Sequence, residues 1–420
     1  MTLLSSATET LIADNLQRQL THWTSAARIF LDAEEFASET AWRSLENHVG
    51  LPIRRSLAEI ISSLIAMGAN AEGIVRSARR DSANLVAATR AVQLFRRRYS
   101  QVETTLDFFG DAVNSRTNLP LRSALRVLDQ LSVASMTPVL SAAGCAVPPV
   151  LTYVDKGLGA SILRSGIRLW SPGSINPVAA IKIVRHNLYR PTSLFHETGH
   201  QVANLIGWVP ALQTSMSQAL ADDRELRSMW LPWCSEIVAD VYAFTLTGFA
   251  SVSALFDVVG DDRTLMRWPV GDPHPVGWLR TLLGCAMCRE SFGPGPWDAL
   301  ESAMRAQYPA ARADATTAPL LSRSALRMPQ IARVCLTTSI PALEGRPITR
   351  VLNPARVSPS ALADLERDAG RSLWISPHWQ QREGIRMLAL SGLREAERPQ
   401  AAPEWIERAR TWMTTPLNAA

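Results

Sequence analysis

One short segment, Leu194 to His200, carries the residues of this chain whose types and spacing best suit chemistry. It contains His196, Glu197 and His200 in the pattern H-E-x-x-H. On a helix, residues four apart lie on one face, so both imidazoles can bind one ion while Glu197 reaches a water on that ion. Two ligands and a general base in this order are typical of zinc peptidases. The alternative is a pair of surface histidines on an ordinary helix.

A third ligand is predicted in the apolar run of residues 234–244, which contains Glu236 and Asp240. Carboxylates in such a run need partners, because burying an unpaired charge is costly. Zinc would satisfy Glu236, and the imidazole N–H of a ligand histidine would satisfy Asp240, which then fixes the tautomer of that histidine. The alternative is that both carboxylates lie on a solvated helix face.

These motifs resemble those of a known family. H-E-x-x-H followed by E-x-x-A-D on a second helix is similar to the pattern of the gluzincin zinc metallopeptidases. The segment at residues 272–280 resembles the H-P-x-x-x-x-R element of the branch that contains the CAAX prenyl proteases and the membrane heat-shock proteases. The resemblance covers residues 150–290 at three short motifs. Those relatives carry transmembrane helices, whereas this sequence predicts none.

The resemblance also implies roles for two further residues. It places His274 near the site, as a donor to the negative charge that develops on oxygen during amide hydrolysis. Arg280 is expected to brace the site by pairing with Asp240 or a neighbouring carboxylate. The alternative is a capped helix start after Pro273 and a surface arginine. The predicted zinc ligands are thus the two motif histidines and Glu236, with the fourth position left for water.

Composition and charge argue against several classes of protein. The chain has 420 residues, 47% of them hydrophobic and 19% charged, with a net charge of +5. Basic runs are short and isolated, so no nucleic-acid partner is predicted. Five cysteines form an odd, sparse set, which favours a reducing compartment and a cytoplasmic location. No secretory signal is visible, and prolines interrupt the longest uncharged stretch at residues 130–154, so no membrane insertion is predicted.

The elements that position these residues predict an α+β fold that is mostly α-helical. We expect a helical N-terminal module at residues 1–145, a zincin-like core with a small sheet and the active-site helix at 146–295, and a helical C-terminal region at 296–420. Strands at 151–154 and 160–163 are predicted to form a hairpin, with another strand at 167–170.

The first functional hypothesis is a zinc-dependent peptidase, an endopeptidase that acts on peptide or protein substrates with Zn²⁺ as its cofactor. A second is a zincin-fold binding or regulatory protein that has lost turnover, although a scaffold has no use for the carboxylate of Glu197. A third is a metal-dependent hydrolase of a non-peptide amide. The sequence predicts neither the substrate sequence nor the oligomeric state.

Overall fold

The computed structural model describes residues 6–157, 159–165, 176, 178–261, 265–267 and 274–415. In these residues helices dominate, and three short strands form a single sheet. This architecture confirms the mostly helical α+β class that the sequence predicts. The contacts divide the chain into two compact units, one with residues 1–117 and 165–180 and the other with residues 118–164 and 181–420.

Among its described residues, the first unit contains the α-helices α1 (Ser6–Ile29), α2 (Glu39–Val49), α3 (Ile53–Arg80) and α4 (Leu85–Asn114). Ser38 caps the start of α2, and Gly50 ends it in the left-handed conformation that glycine adopts without strain. Within the described residues, α3 alone is long and apolar enough to cross a bilayer, by length and composition only. Its buried face packs against α1 and α4, as a core helix also would.

After these helices the chain forms α5 (Leu119–Ala142) and the strands β1 (Val150–Asp155), β2 (Ser161–Leu163) and β3 (Ala179–Val184). The strand order is β1-β3-β2, so β3 separates the two strands that the sequence predicts to be paired. The hairpin prediction is therefore wrong. Five of the six residues of β3 are buried, which suits a central strand, whereas β2 is half-buried. The strand predicted at 167–170 lies outside the described residues.

Helix α5 supports both the sheet and the helices that follow. The buried Asp129 carboxylate accepts hydrogen bonds from the Thr152 backbone N–H at 2.7 Å and from the Thr152 hydroxyl at 2.8 Å. Farther along α5, Ser135 accepts a hydrogen bond of 3.1 Å from the buried hydroxyl of Tyr242. Because buried polar groups are costly without partners, these bonds fix how β1 and the helix that carries Tyr242 pack on α5.

The next helices carry the predicted site residues: α6 (Thr192–Leu205), α7 (Trp208–Ala219), α8 (Arg224–Thr247), α9 (Phe249–Val259) and α10 (Gly277–Phe292). Helix α6 begins after Pro191 and ends before Gly207. The Asp223 carboxylate caps α8 by accepting a bond of 3.0 Å from the Leu226 backbone N–H. Gly248, with a φ of 57°, makes the sharp turn from α8 into α9.

The remaining helices are α11 (Pro296–Gln307), α12 (Thr317–Thr337), α13 (Ile348–Val351), α14 (Pro359–Ala369), α15 (Ser372–Ile375), α16 (Pro377–Glu397) and α17 (Ala402–Thr414). Two of them pack on helices that carry or border the site: α12 packs on α10, and α16 packs on α9. The second of these contacts is close, because a Cβ at Gly392 would overlap Ala250. The C-terminal helices thus belong to the same packed core as the site helices.

Candidate metal centre

The close packing of α6 on α8 brings the two predicted motifs together. It depends on Gly199, one of the unspecified positions of H-E-x-x-H, because a Cβ there would lie 2.9 Å from the Ala239 Cα and 3.0 Å from the Tyr242 Cβ. Thr198, beside it, is fully buried, and its hydroxyl donates a hydrogen bond of 3.0 Å to the Leu194 carbonyl oxygen. The α6 backbone can therefore lie directly against α8, which places the motif histidines opposite the α8 carboxylates.

Three donor atoms converge where the two helices meet. The Nε2 atoms of His196 and His200 are 3.2 Å apart, and their rings are nearly perpendicular. The Oε2 atom of Glu236 lies 3.3 Å from the first of these nitrogens and 3.6 Å from the second. These three side chains form the group of possible ligands whose atoms all lie within 4.8 Å of one another in the described part of the chain.

The chemistry of these atoms suits a cation between them. In the neutral imidazole of His196, Nδ1 donates to Asp240, which leaves the Nε2 lone pair pointing towards the other two atoms. Glu236 Oε2 is buried, and no donor among the described residues is aligned for a hydrogen bond with it. Converging lone pairs repel unless a cation separates them. This buried His-His-Glu group can therefore hold a metal ion.

The carboxylate of Asp240 orients His196 through Nδ1, the ring nitrogen that does not belong to the cluster. Asp240 Oδ1 lies 2.8 Å from His196 Nδ1, and the Arg280 guanidinium binds both Asp240 oxygens, at 2.8 and 2.7 Å. Burial alone would raise the pKa of Asp240, but the charge of Arg280 and the imidazole hydrogen bond hold it well below its usual range. The structure thus brings the predicted residues Asp240 and Arg280 together in the expected pair.

His274 lies on the open side of the centre, just before α10. Its Nε2 is 3.1 Å from Glu236 Oε2, and its side chain is 46% exposed. It does not belong to the group of three clustered ligand atoms. The imidazole therefore borders the centre and faces solvent, so that it can contact a molecule bound there.

The charges of the centre are strongly coupled in the protein without metal. Burial would lower the pKa of His196, but its interactions with the carboxylates of Asp240 and Glu236 raise it to about 10. Burial would likewise raise the pKa of Glu236, but the three imidazoles that face it lower it far below its usual range. Glu236 is therefore ionised, as a carboxylate ligand has to be.

Glu197 lies beside the three ligand atoms and lines a cavity together with His196 and His274. Its carboxylate is 7% exposed, and burial raises its pKa, against the lowering effect of His196 and His200. A carboxyl group with a raised pKa in a cleft suits proton transfer near neutral pH. All seven predicted site residues thus lie together in the second unit.

Sequence reasoning missed two features of the centre. It treated Gly199 as an unspecified position, although the helix contact depends on it. It also assigned no role to α9, whose residues Val252, Leu255 and Val258 line the same cavity as Glu197. The strong hydrophobicity of α9 indicates that the helix packs against other elements, but periodicity alone cannot say which cavity a helix borders.

Comparisons of this chain with protein families, with curated proteins and with solved structures gave no match.

Proposed function

We propose that this protein is a zinc-dependent peptidase, an endopeptidase related to the gluzincins, whose second unit is built around a zincin-like core. The observation that carries the proposal is the meeting of His196, His200 and Glu236 with Glu197 beside them. Zinc ligands lie at about 2.0–2.1 Å, and a tetrahedron of that size has edges of about 3.3–3.4 Å. The three distances between the clustered atoms, 3.2, 3.3 and 3.6 Å, are close to such edges.

The donor set also supports zinc as the metal. Two imidazoles and one carboxylate are the ligands of catalytic zinc sites, in which the fourth position is kept for water. A structural site would instead be closed by a fourth side chain, usually a cysteine thiolate. Apart from the half-buried Cys145, the cysteines of the second unit are all buried. None of the cysteines belongs to the cluster. An open coordination position is the arrangement that hydrolysis requires.

The proposed mechanism assigns one role to each side chain. Zinc, when bound, lowers the pKa of its water to about 7. Glu197 would accept a proton from the water that attacks the peptide carbonyl and would then pass it to the leaving amine. His274, half-exposed beside Glu236, donates to the carbonyl oxygen as it gains negative charge. Asp240 and Arg280 keep the imidazole of His196 oriented throughout.

The sheet offers a place for an extended peptide. Among the described strands, β2 lies at one edge of the sheet, and it packs next to α6. Gly159 and Ala160, which lead into β2, line the same cavity as Glu197. A substrate that pairs its backbone with β2 would run past the centre, and its peptide bonds would come within reach of Glu197.

The test replaces Glu197 by glutamine, which keeps the shape and removes the base. We expect Glu197→Gln to retain one zinc per chain and to lose hydrolysis of a peptide library by at least about 10²-fold. Glu225→Gln is the matched control, because this carboxylate lies at the exposed start of α8 and pairs only with Arg323 in the contacts described. Full activity in Glu197→Gln would exclude the mechanism.

The same library separates the competing functions. Cleavage by the zinc-loaded protein that is lost in Glu197→Gln supports the peptidase. Bound zinc without cleavage of any peptide would favour a binding or regulatory protein. Glu236→Ala is expected to weaken zinc retention, and unchanged metal content by elemental analysis would remove Glu236 from the ligand set.

A further inference from the structure

The net positive charge of the chain is concentrated in one segment, residues 130–196, which lies between the acidic residues Asp129 and Glu197. This segment contains six basic residues and one acidic residue, Asp155, so its net charge of +5 equals that of the whole chain. The basic residues are Lys156, Arg164, Arg168, Lys182, Arg185 and Arg190, which include both lysines of the chain. The rest of the sequence is neutral on balance, so the region of the sheet stands out as basic.

Three of these cations have no acidic partner. Lys156, Lys182 and Arg185 take part in no ion pair within the described part of the chain. The one acidic residue of the segment, Asp155, accepts a hydrogen bond of 2.7 Å from the Lys156 backbone N–H. Arg190, by contrast, is paired with carboxylates of α9 and α16. The three unpaired cations therefore give this surface a positive potential that attracts anions.

Lys182 marks the solvent side of the sheet. It belongs to the central strand β3, and it is the one residue of that strand that is not buried. A lysine is almost never fully buried, because its ammonium has to be hydrated or paired. Its Nζ extends over the connection between β1 and β2, where a Cβ at Gly157 would lie 3.6 Å from it. Lys156, the exposed residue before Gly157, brings a second positive charge to the same connection.

These charges adjoin residues that line the cavity beside Glu197. Gly159 and Ala160 follow the connection with the lysines and line that cavity, and Gly159 is exposed. Arg185 is exposed at the end of β3, two residues before Asn187, which lines the same cavity. A molecule that approaches Glu197 along the sheet therefore passes these cations before it reaches the metal centre.

The available edge of the sheet lies on the side of the metal centre. The edge strand β2 packs next to α6, whereas the other edge strand, β1, packs on α5. Neighbouring strands are about 4.7–4.9 Å apart, so a peptide strand added to β2 would lie about 10 Å from β3. The long, flexible side chain of Lys182 and an acidic side chain of the peptide can together span that distance.

The arrangement of the cations suits carboxylates on an extended chain. Lysine is a point charge on a flexible stem, which can follow a carboxylate without a fixed geometry. Three cations beside one short edge strand match a few acidic side chains, whereas a nucleic acid would need a longer basic stripe. The chemistry of this surface therefore favours a peptide with several aspartate or glutamate residues.

We propose that the substrate of this protein is an acidic peptide, whose carboxylate side chains contact Lys182 and Arg185 as its backbone pairs with β2. The inference rests on the proposed peptidase function and names the class of its substrate. Complementary charge raises the rate of association by about 10- to 10³-fold at low ionic strength. Aspartate and glutamate residues that flank the cleaved bond therefore increase kcat/KM.

The test compares peptides that differ only in charge. The measured quantity is the ratio of kcat/KM for a cleaved peptide with Asp and Glu flanking the cleaved bond to that for the same peptide with Asn and Gln. We expect a ratio of about 10 to 100 in the wild type at low ionic strength. In about 0.5 M salt the ratio should fall towards one, because salt screens exposed charges.

Two variants remove the cations. We expect Arg185→Gln to lower the ratio by about threefold, and the double variant Lys182→Gln with Arg185→Gln to lower it by at least about tenfold. Arg371→Gln is the control, since Arg371 is exposed at the start of α15, which packs on α14, α16 and α17. Thermal unfolding shows whether each variant is folded. Arg185→Gln, at an exposed position, tests the proposal even if the double variant does not fold.

The possible outcomes separate this inference from the proposed function. A ratio near one in the wild type at low ionic strength, or one that Arg185→Gln and the folded double variant leave unchanged, would overturn the acidic substrate while Glu197-dependent cleavage stands. Inhibition by a DNA duplex or by vesicles of anionic lipid as strong as that by the acidic peptide would overturn the assignment of the surface to a peptide. No cleavage of any peptide, acidic or neutral, by the zinc-loaded wild type would overturn the peptidase proposal itself.

Discussion

Asp240 Oδ1 lies 2.8 Å from Nδ1 of His196, so the carboxylate holds one edge of the imidazole while Nε2, on the other edge, points at Glu236. Both carboxylates belong to α8 and are four residues apart, one helical turn. A single helix therefore supplies both the ligand and the group that orients its partner ligand. The register of α8 against α6 then determines whether the centre can form.

The first prediction concerns Asp240→Asn. The amide cannot accept from His196 Nδ1 and hold Arg280 as the carboxylate does, so the imidazole loses its fixed tautomer. We expect zinc affinity to fall by about 10- to 100-fold with the fold retained, as measured by competition with a chelating dye. Asp368→Asn, at an exposed position on α14, is the control. Unchanged affinity in a folded Asp240→Asn protein would contradict the role of Asp240.

The second prediction concerns the contact between the helices. Gly199→Ala introduces a methyl group 2.9 Å from the Ala239 Cα, so α6 must move away from α8. We expect a loss of about 1–3 kcal/mol in the free energy of unfolding, together with weaker zinc binding. The measurements are chemical denaturation and metal titration.

A matched glycine provides the control for that change. A Cβ at Gly73, inside α3, would meet nothing within 4 Å. Gly73→Ala should therefore stabilise its helix by about 0.5–1 kcal/mol and leave metal binding unchanged. Equal effects of the two substitutions would mean that helix propensity, rather than the approach of α6 to α8, explains the result at Gly199.

Much of the centre could be predicted from sequence because its information is local. The four-residue spacings of His196 with His200 and of Glu236 with Asp240 place each pair on one helix face whatever the rest of the chain does. The start of α6 at Pro191 and its end before Gly207 follow from local backbone chemistry in the same way. Such local features can be predicted without knowledge of the fold.

The wrong hairpin prediction and the two missed features of the centre all depend on contacts between segments that are distant in sequence. The short stretch of sequence between β1 and β2 favours a hairpin, but the more apolar β3 takes the central place between the two strands. The closeness of Gly199 to Ala239 and the position of α9 beside Glu197 are likewise set by packing. No periodicity in one segment encodes which other segment lies against it.

The third prediction concerns pH and the metal. Without metal, the interactions with Asp240 and Glu236 raise the pKa of His196 to about 10, against the opposing effect of burial, from an ordinary value of about 6.5. The raised pKa means that protonated His196 stabilises the fold fully below about pH 6.5 and that this contribution is lost as the pH rises towards about 10. Zinc requires the neutral imidazole, so its stabilisation grows over the same range.

Thermal unfolding at pH 6, 7.5 and 9, with zinc or with a chelator, measures both effects. The chelated protein should become less stable as the pH rises, and the difference between the two samples should widen. His200→Ala, which lacks one ligand, should remove most of that difference. A chelated protein that gains stability between pH 6.5 and 9 would show that His196 is neutral without metal.

The last prediction concerns how the C-terminal helices hold α9, which lines the cavity beside Glu197. Glu395 of α16 is 5% exposed and lies 3.1 Å from Arg190, whose guanidinium also binds Asp257 of α9 at 2.8 Å. Arg190 stands just before α6, so one side chain connects α16, α9 and the start of the active-site helix. Glu395→Gln keeps the shape and removes the charge, and we expect a loss of about 1–3 kcal/mol in the free energy of unfolding.

The functional effect should be selective, because Glu395 contacts neither the ligands nor Glu197 in the bonds described. Loosening α9, which lines the same cavity as Glu197, should lower the rate of peptide cleavage while zinc affinity stays unchanged. Glu397→Gln is the control, since Glu397 pairs with Arg394 on the same helix at its more exposed face, where such pairs contribute about 0–1 kcal/mol. A loss of zinc binding in Glu395→Gln would show that α16 supports the metal centre itself rather than only α9.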